Sequence, residues 1–147
     1  MTTMLSLEQA MTIARGALDR ARADRLKPMC VVVLDSAGHR KVSLCEDGGN
    51  PFGIAIAEAK ATTAHAFKNA TQTLADVFAN NPGGVAALSH ICDGRFAPLG
   101  GGLPIYDADG QLVGAAAASG DMPDRDAAII RGAIEAVGLM SVARPAA

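Results

Sequence analysis

The stretch from Pro51 to Phe78, PFGIAIAEAKATTAHAFKNATQTLADVF, constrains the fold of this chain more than any other. It is rich in alanine and free of glycine after Gly53, so its propensities predict one long helix. Asn50 is placed to cap that helix, with Pro51 in its first turn. A helix turns by about 100° per residue. On that wheel Glu58, His65, Asn69, Gln72 and Asp76 share one side. Ile56, Thr63, Phe67, Thr71, Leu74 and Phe78 share the other. Lys60 falls within the apolar set. An ammonium there must snorkel out, find a carboxylate, or meet a ligand.

The elements around it follow from periodicity and turn chemistry. Leu5 to Asp24 reads as a first helix, with Ser6 and Gln9 spaced as a capping box and Leu7, Met11, Ala14, Leu18 and Ala21 in one stripe. Met29 to Leu34 is a β-branched run bounded by turn signals and reads as a strand buried on both faces. Asp35 to Gly38 is a turn, and His39 to Leu44 the returning strand of a hairpin. Asn80-Asn81-Pro82-Gly83-Gly84 is a break. Val85 to Leu99 reads equally well as a short helix or an irregular loop. A second hairpin follows, through Ile105-Tyr106, the turn Asp107 to Gly110, and Gln111 to Ala118. That last strand has so little bulk that something must pack tightly on it. Asp124 to Met140 is a final helix, and the last residues from Arg144 a frayed tail. The order is α-β-β-α-β-β-α. Hairpins joined by helices make this an α+β domain, an antiparallel sheet flanked by helices.

The 147 residues suit a single domain, taken as 1–147. Only 3% of them are aromatic, with no tryptophan and Tyr106 the only tyrosine, which argues against a stacking platform for nucleic acid. A net charge of −2 with no basic cluster speaks against nucleic acid and anionic membranes as partners. The first residues lack a secretory leader's pattern, and no apolar run is long enough to span a membrane. Cys30, Cys45 and Cys92 are odd in number and form no C-x-x-C pair, so the expectation is no disulfide framework, a reducing compartment and a cytoplasmic protein.

Several residues could carry chemistry. Lys60 could bind a carboxylate or act as a base, against the alternative of a structural ion pair with Asp47 or Asp35. Gly100, Gly101 and Gly102 would let backbone N–H groups approach a ligand. Ser119 and Gly120 end a strand ahead of a helix, where donors suit an anion as well as ordinary capping. Of the histidines, His39 sits at a turn and His65 on the polar, solvent-facing side of the long helix. His90 lies in the ambiguous segment. No spacing supports a zinc site, but one histidine suffices for a haem iron, which leaves His65 and His90 as axial candidates. Cys45, followed by Glu46 and Asp47, is disfavoured as a nucleophile by its acidic neighbours.

Taken together, these residues resemble the GlcG/HbpS-like family, which includes the C-terminal domain of PduO-type proteins. The resemblance rests on I-A-x-A-K-A-x-T-A-x-x-F from Ile56 to Phe67 and G-G-x-P-I from Gly101. It extends to D-G-x-x-V-G-A from Asp109, Ser119-Gly120, Asp126, and V-V-x-D-x-x-G from Val32. It implies a sheet of about five antiparallel strands flanked by helices, a homo-oligomer, and haem or another tetrapyrrole as ligand in some members. Relative to haem-binding members, Leu5 to Asp24 lacks a histidine. No E-x-x-E pair follows Glu58, and Cys45 stands in place of an arginine, which points to a pocket adapted to another ligand. The leading expectation is a small-molecule-binding protein, with haem as a possible ligand. The alternatives are a catabolic enzyme acting by proton transfer on a small organic acid or ketone, with Lys60 and Asp47 as its groups, and a non-catalytic accessory oligomer.

Overall fold

The computed structural model describes residues 4–143, so the tail from Arg144 lies outside the described residues. The elements are α1 (Leu7–Ala23), β1 (Cys30–Leu34), β2 (Arg40–Cys45), α2 (Gly53–Phe67), α3 (Thr71–Val77), α4 (Pro82–Ile91), β3 (Gly102–Tyr106), β4 (Leu112–Ser119) and α5 (Pro123–Ala136). The sheet has four strands in the order β2-β1-β4-β3, every neighbouring pair antiparallel. The α+β class with one antiparallel sheet and flanking helices holds. The count of about five strands does not: the described residues form two hairpins whose strands β1 and β4 pair in the middle.

The layers follow from side-chain alternation. Val31 and Val33 of β1 with Ala116 and Ala118 of β4 face α1 and α5, joined there by Ile13, Ile130 and Ile134. Val32, Leu34, Ala115 and Ala117 point the other way, onto Ala57, Ala61 and Ala64 of α2. The alanines on both sides let α2 lie close to the sheet, which answers the bulk-poor β4. The capping box at Ser6 and Gln9 forms as expected.

The long helix is corrected. It breaks at Lys68, whose φ of 53° is left-handed, so α2 and α3 are separate. No glycine or proline marks this break. Tertiary bonds hold it instead: Thr71 Oγ1 accepts from Gly102 N at 2.9 Å, and Tyr106 Oη donates to Lys68 O at 3.2 Å. The start moves too. Asn50 caps a turn by accepting from Phe52 N at 2.8 Å, and helix begins at Gly53. Helix α4 begins at Pro82, inside the expected break of Asn80 to Gly84, capped by Asn81 Oδ1, which accepts from Gly84 N. The ambiguous segment Val85 to Leu99 is helical as far as Ile91 and outside any helix or strand from Cys92 on. None of the residues of α4 is buried.

The expectation of no disulfide is also corrected. Cys30 and Cys45 face each other across the first hairpin and are joined by a disulfide, their Cα atoms 4.1 Å apart. C-x-x-C spacing is the wrong test for a hairpin, where partners are set by strand register. The cysteine count therefore no longer argues for a reducing compartment. Cys92 is free.

Candidate functional site

Lys60 lies on the sheet-facing side of α2 and is 4% exposed. Its Nζ donates to Ala118 O of β4 at 3.1 Å and stands 3.6 Å from Asp126 Oδ2. Asp126, in the first turn of α5, is 1% exposed. Its other oxygen accepts from Asp121 N at 3.0 Å. Burial pushes the Lys60 ammonium below its usual range and the Asp126 carboxyl above its own. The facing charges and hydrogen bonds of each oppose that shift. The acidic partner is thus Asp126, where Asp47 or Asp35 was expected. Asp47 lies exposed on the loop after β2, and Asp35 Oδ1 accepts from Ala37 N and His39 N in its own turn. The sequence carried a signal for Asp126 that the reading did not use: it lies three, four and seven residues before Ile129, Ile130 and Ala133, all buried on the same side of α5.

The glycines close over this pair. Gly101, at φ +124°, has its backbone so near that a Cβ would stand 2.8 Å from Ala118 O and 2.9 Å from Lys60 Nζ. A Cβ on Gly102 would meet Lys60 O at 2.7 Å, and all three glycines are buried. Thr63 Oγ1 accepts from Ala97 N at 2.8 Å and Thr71 Oγ1 from Gly102 N, so α2 and α3 pin the segment that brings the glycines in. Gly100, Gly101 and Gly102 therefore pack against the buried pair rather than line an open cradle.

Ser119 ends β4, Gly120 follows it, and both are half-buried. With Lys27, Pro28, and Gly48 to Phe52 they line an open cleft of about 520 Å³. Phe52 at its lip is 71% exposed. The buried pair holds this wall from behind, through Ala118 O and Asp121 N. Asp121 ties the opposite wall, accepting from Lys27 N at 3.0 Å. That bond, the Met122 N–H and the Arg125 guanidinium hold the Asp121 carboxyl below its usual value. The structure thus brings Lys60, Gly101, Ser119 and Gly120 to one end of the sheet and leaves Asp47 outside the Lys60 pair. Lys27 and Phe52 were missed by sequence reading, because single residues on turns carry no periodic signal.

The histidines do not line the cleft. His65 is half-buried rather than solvent-facing, its Nε2 2.9 Å from Ser36 O, with Gly38 packed under the ring. His90 is exposed on α4, and His39 lies within 3.8 Å of Asp35 at the surface. A smaller apolar groove of about 190 Å³ lies between Phe67, Phe96, Cys92 and Arg95. No three metal-ligating side chains cluster among the described residues, and no helix there is long and apolar enough to cross a membrane.

Comparison with known proteins places this geometry. Residues 5–135 match the model of the family described as haem degrading protein HbpS-like. The crystal structure of a PduOC:heme complex superposes with a TM-score of 0.85 at 29% identity, over 95% of this chain and 99% of that one. HbpS from Streptomyces reticuli, in a double-mutant form, superposes with a TM-score of 0.79 at 29% identity, over 94% and 90%. The corrinoid adenosyltransferase PduO of Salmonella typhimurium is 30% identical over 135 residues, 92% of this chain. The chain spans only 39% of that relative's length.

Proposed function

The chain belongs to the HbpS-like family, and from that premise we propose that it binds a small molecule, a tetrapyrrole by class, in the cleft walled by Gly48 to Phe52 and Ser119-Gly120. The observation that carries this reading is the likeness of nearly the whole chain to a relative solved as a haem complex. The residues on the cleft fit part of such a ligand. Pro28, Pro51 and Phe52 offer apolar surface to a ring, and Lys27 offers a cation to a carboxylate. They do not fit its iron. The lining holds no histidine, methionine, cysteine or tyrosine, the side chains that hold haem iron. The binding proposed is therefore of the ring and its carboxylates, with no axial ligand from the cleft.

In this reading Lys60 is a positioning residue. Its ammonium holds Ala118 and Asp126, which fix the Ser119–Asp121 wall, and Lys60 itself is buried and does not line the cleft. The catalytic alternative, with Lys60 and Asp47 as acid and base, needs Lys60 to reach a substrate, and no contact favours that. A homo-oligomer belongs to the same reading, supported by the exposed apolar residues of α4 and its neighbours.

The test is a titration with haem and, in parallel, with iron-free protoporphyrin, followed by absorbance for both and by the porphyrin's own emission for the iron-free ring. Both should bind with comparable affinity, and Lys27→Ala or Phe52→Ala should weaken both. Haem-only binding, with a Soret shift lost on replacing His65 or His90, would overturn the iron-independent site. Binding of neither at micromolar concentration would remove the tetrapyrrole altogether.

A further inference from the structure

Cys30 and Cys45 differ in access. Cys30 is 1% exposed in the sheet, and Cys45, at the end of the edge strand β2, is exposed. The return from β2 to α2 crosses the two sulfurs with bare backbone. A Cβ on Gly49 would stand 2.6 Å from Cys45 Sγ and 3.3 Å from Cys30 Sγ, and one on Gly53 would strike Cys30 Sγ. That same return, Gly48 to Phe52, is one wall of the cleft. Glu46 is directed elsewhere. Its Oε1 accepts from Met29 N and its Oε2 from Arg22 Nε, both at 3.0 Å.

We propose that Cys30 and Cys45 form a reversible thiol–disulfide exchange site for low-molecular-weight thiols. Cys45 is the sulfur attacked first, and the Glu46–Phe52 return is the part of the fold that responds. Exchange begins when a thiolate attacks a disulfide sulfur, and access decides which one. Attack at Cys45 Sγ forms a mixed disulfide there and expels Cys30 as a thiolate, which takes a proton from solvent. A second thiolate attacks the small molecule's sulfur in that mixed disulfide and releases the Cys45 thiolate. In sum, one protein disulfide and two small thiols become two protein thiols and one small disulfide, with two electrons passed to the protein. Oxidation runs the same steps backwards, with the small disulfide as electron acceptor.

The response follows from space. Bonded sulfurs lie ~2.05 Å apart, whereas non-bonded heavy atoms need at least ~3.5–4.0 Å. Gly49 and Gly53 lie against the pair with no slack, so separated thiols displace the return and with it a wall of the cleft. That the cleft holds a ligand rests on the function proposed above; the exchange chemistry does not.

The full chain is equilibrated in buffers of reduced and oxidised glutathione, and its thiols are counted by alkylation and mass spectrometry. Oxidised protein should take one label after denaturation, on Cys92, and fully reduced protein should label all three cysteines. Native reduced protein should label Cys45 before Cys30. Oxidised glutathione should leave an adduct on Cys45 of the Cys30→Ser variant, and Cys45→Ser should leave Cys30 unmodified. Amide hydrogen exchange should change over Glu46–Phe52 between the two states. Three free thiols in every buffer, a disulfide that reduced glutathione never opens, or an adduct on Cys30 would each overturn the proposal. Should Cys30→Ser fail to fold, the labelling order in native reduced wild type tests the same asymmetry. A chain that binds no tetrapyrrole would leave all these readouts intact.

Discussion

At the residue scale, Lys60 and Asp126 show what a buried charge demands. Each alone would be expelled or neutralised, and together they are held by Ala118 O, Asp121 N and each other. Removing one leaves the other uncompensated. Lys60→Met should therefore lower stability by about 3–5 kcal/mol in urea unfolding, and adding Asp126→Leu should recover most of that loss. A double variant no more stable than the single one would show that the pair is not the unit of stability. Gly101→Ala adds a Cβ against Ala118 O at a positive φ, and should cost more than about 1 kcal/mol. Asp121 supplies a pH dependence. Its folded pKa lies below that of an unperturbed aspartate, so its stabilisation is complete above the unfolded value and is lost as pH falls through the lower, folded one. The stability gap between wild type and Asp121→Asn should therefore close on acidification, and a gap unchanged at low pH would contradict this. Lys60 itself was legible as an anomaly, because an ammonium on an apolar stripe breaks the pattern. Its partner was legible only by asking the same question of α5.

At the element scale, alanine decides the packing. The helical wheel put Ile56 and Phe67 on the buried side, yet Phe67 is 41% exposed and the residues against the sheet are Ala57, Ala61 and Ala64. A flat, alanine-lined strand accepts a close helix, and close approach favours the smallest side chains over the most hydrophobic. Ala61→Leu should thus overpack the α2–β4 contact and cost about 1–3 kcal/mol by thermal or urea unfolding. Wild-type stability in that variant would mean α2 has room to shift. The break at Lys68 was not legible, because propensity favours continuing the helix and the bonds that end it come from Gly102 and Tyr106, far along the chain.

At the scale of the whole molecule, the two sides of the sheet differ. One is covered by α1 and α5 and the other by α2, while α4 buries none of its residues. Ile91 is 75% exposed and Leu99 55%. With Val77, at 69%, they are the exposed apolar residues proposed to meet another copy. Sedimentation of wild type should show an oligomer at micromolar concentration. Ile91→Asp should shift it toward smaller species while changing the fold's own stability by no more than about 0.5 kcal/mol, as for surface positions generally. A wild-type monomer would sink this reading.

The sequence by itself determined the α+β class, the two hairpins, the doubly buried β1 and the oddity of Lys60, because periodicity, turn residues and a misplaced charge are local signals. Only the tertiary structure decided who meets whom. Register shows this most clearly. Leu34 pairs with Arg40, and continuing that alignment would put Cys30 opposite Leu44. The irregularity between Val33 and Leu34 shifts the pairing by one residue and puts Cys30 opposite Cys45. A single extra residue in a strand thus turns two unremarkable cysteines into a pair, and strand alignment is set by the sheet as a whole rather than by any residue within it.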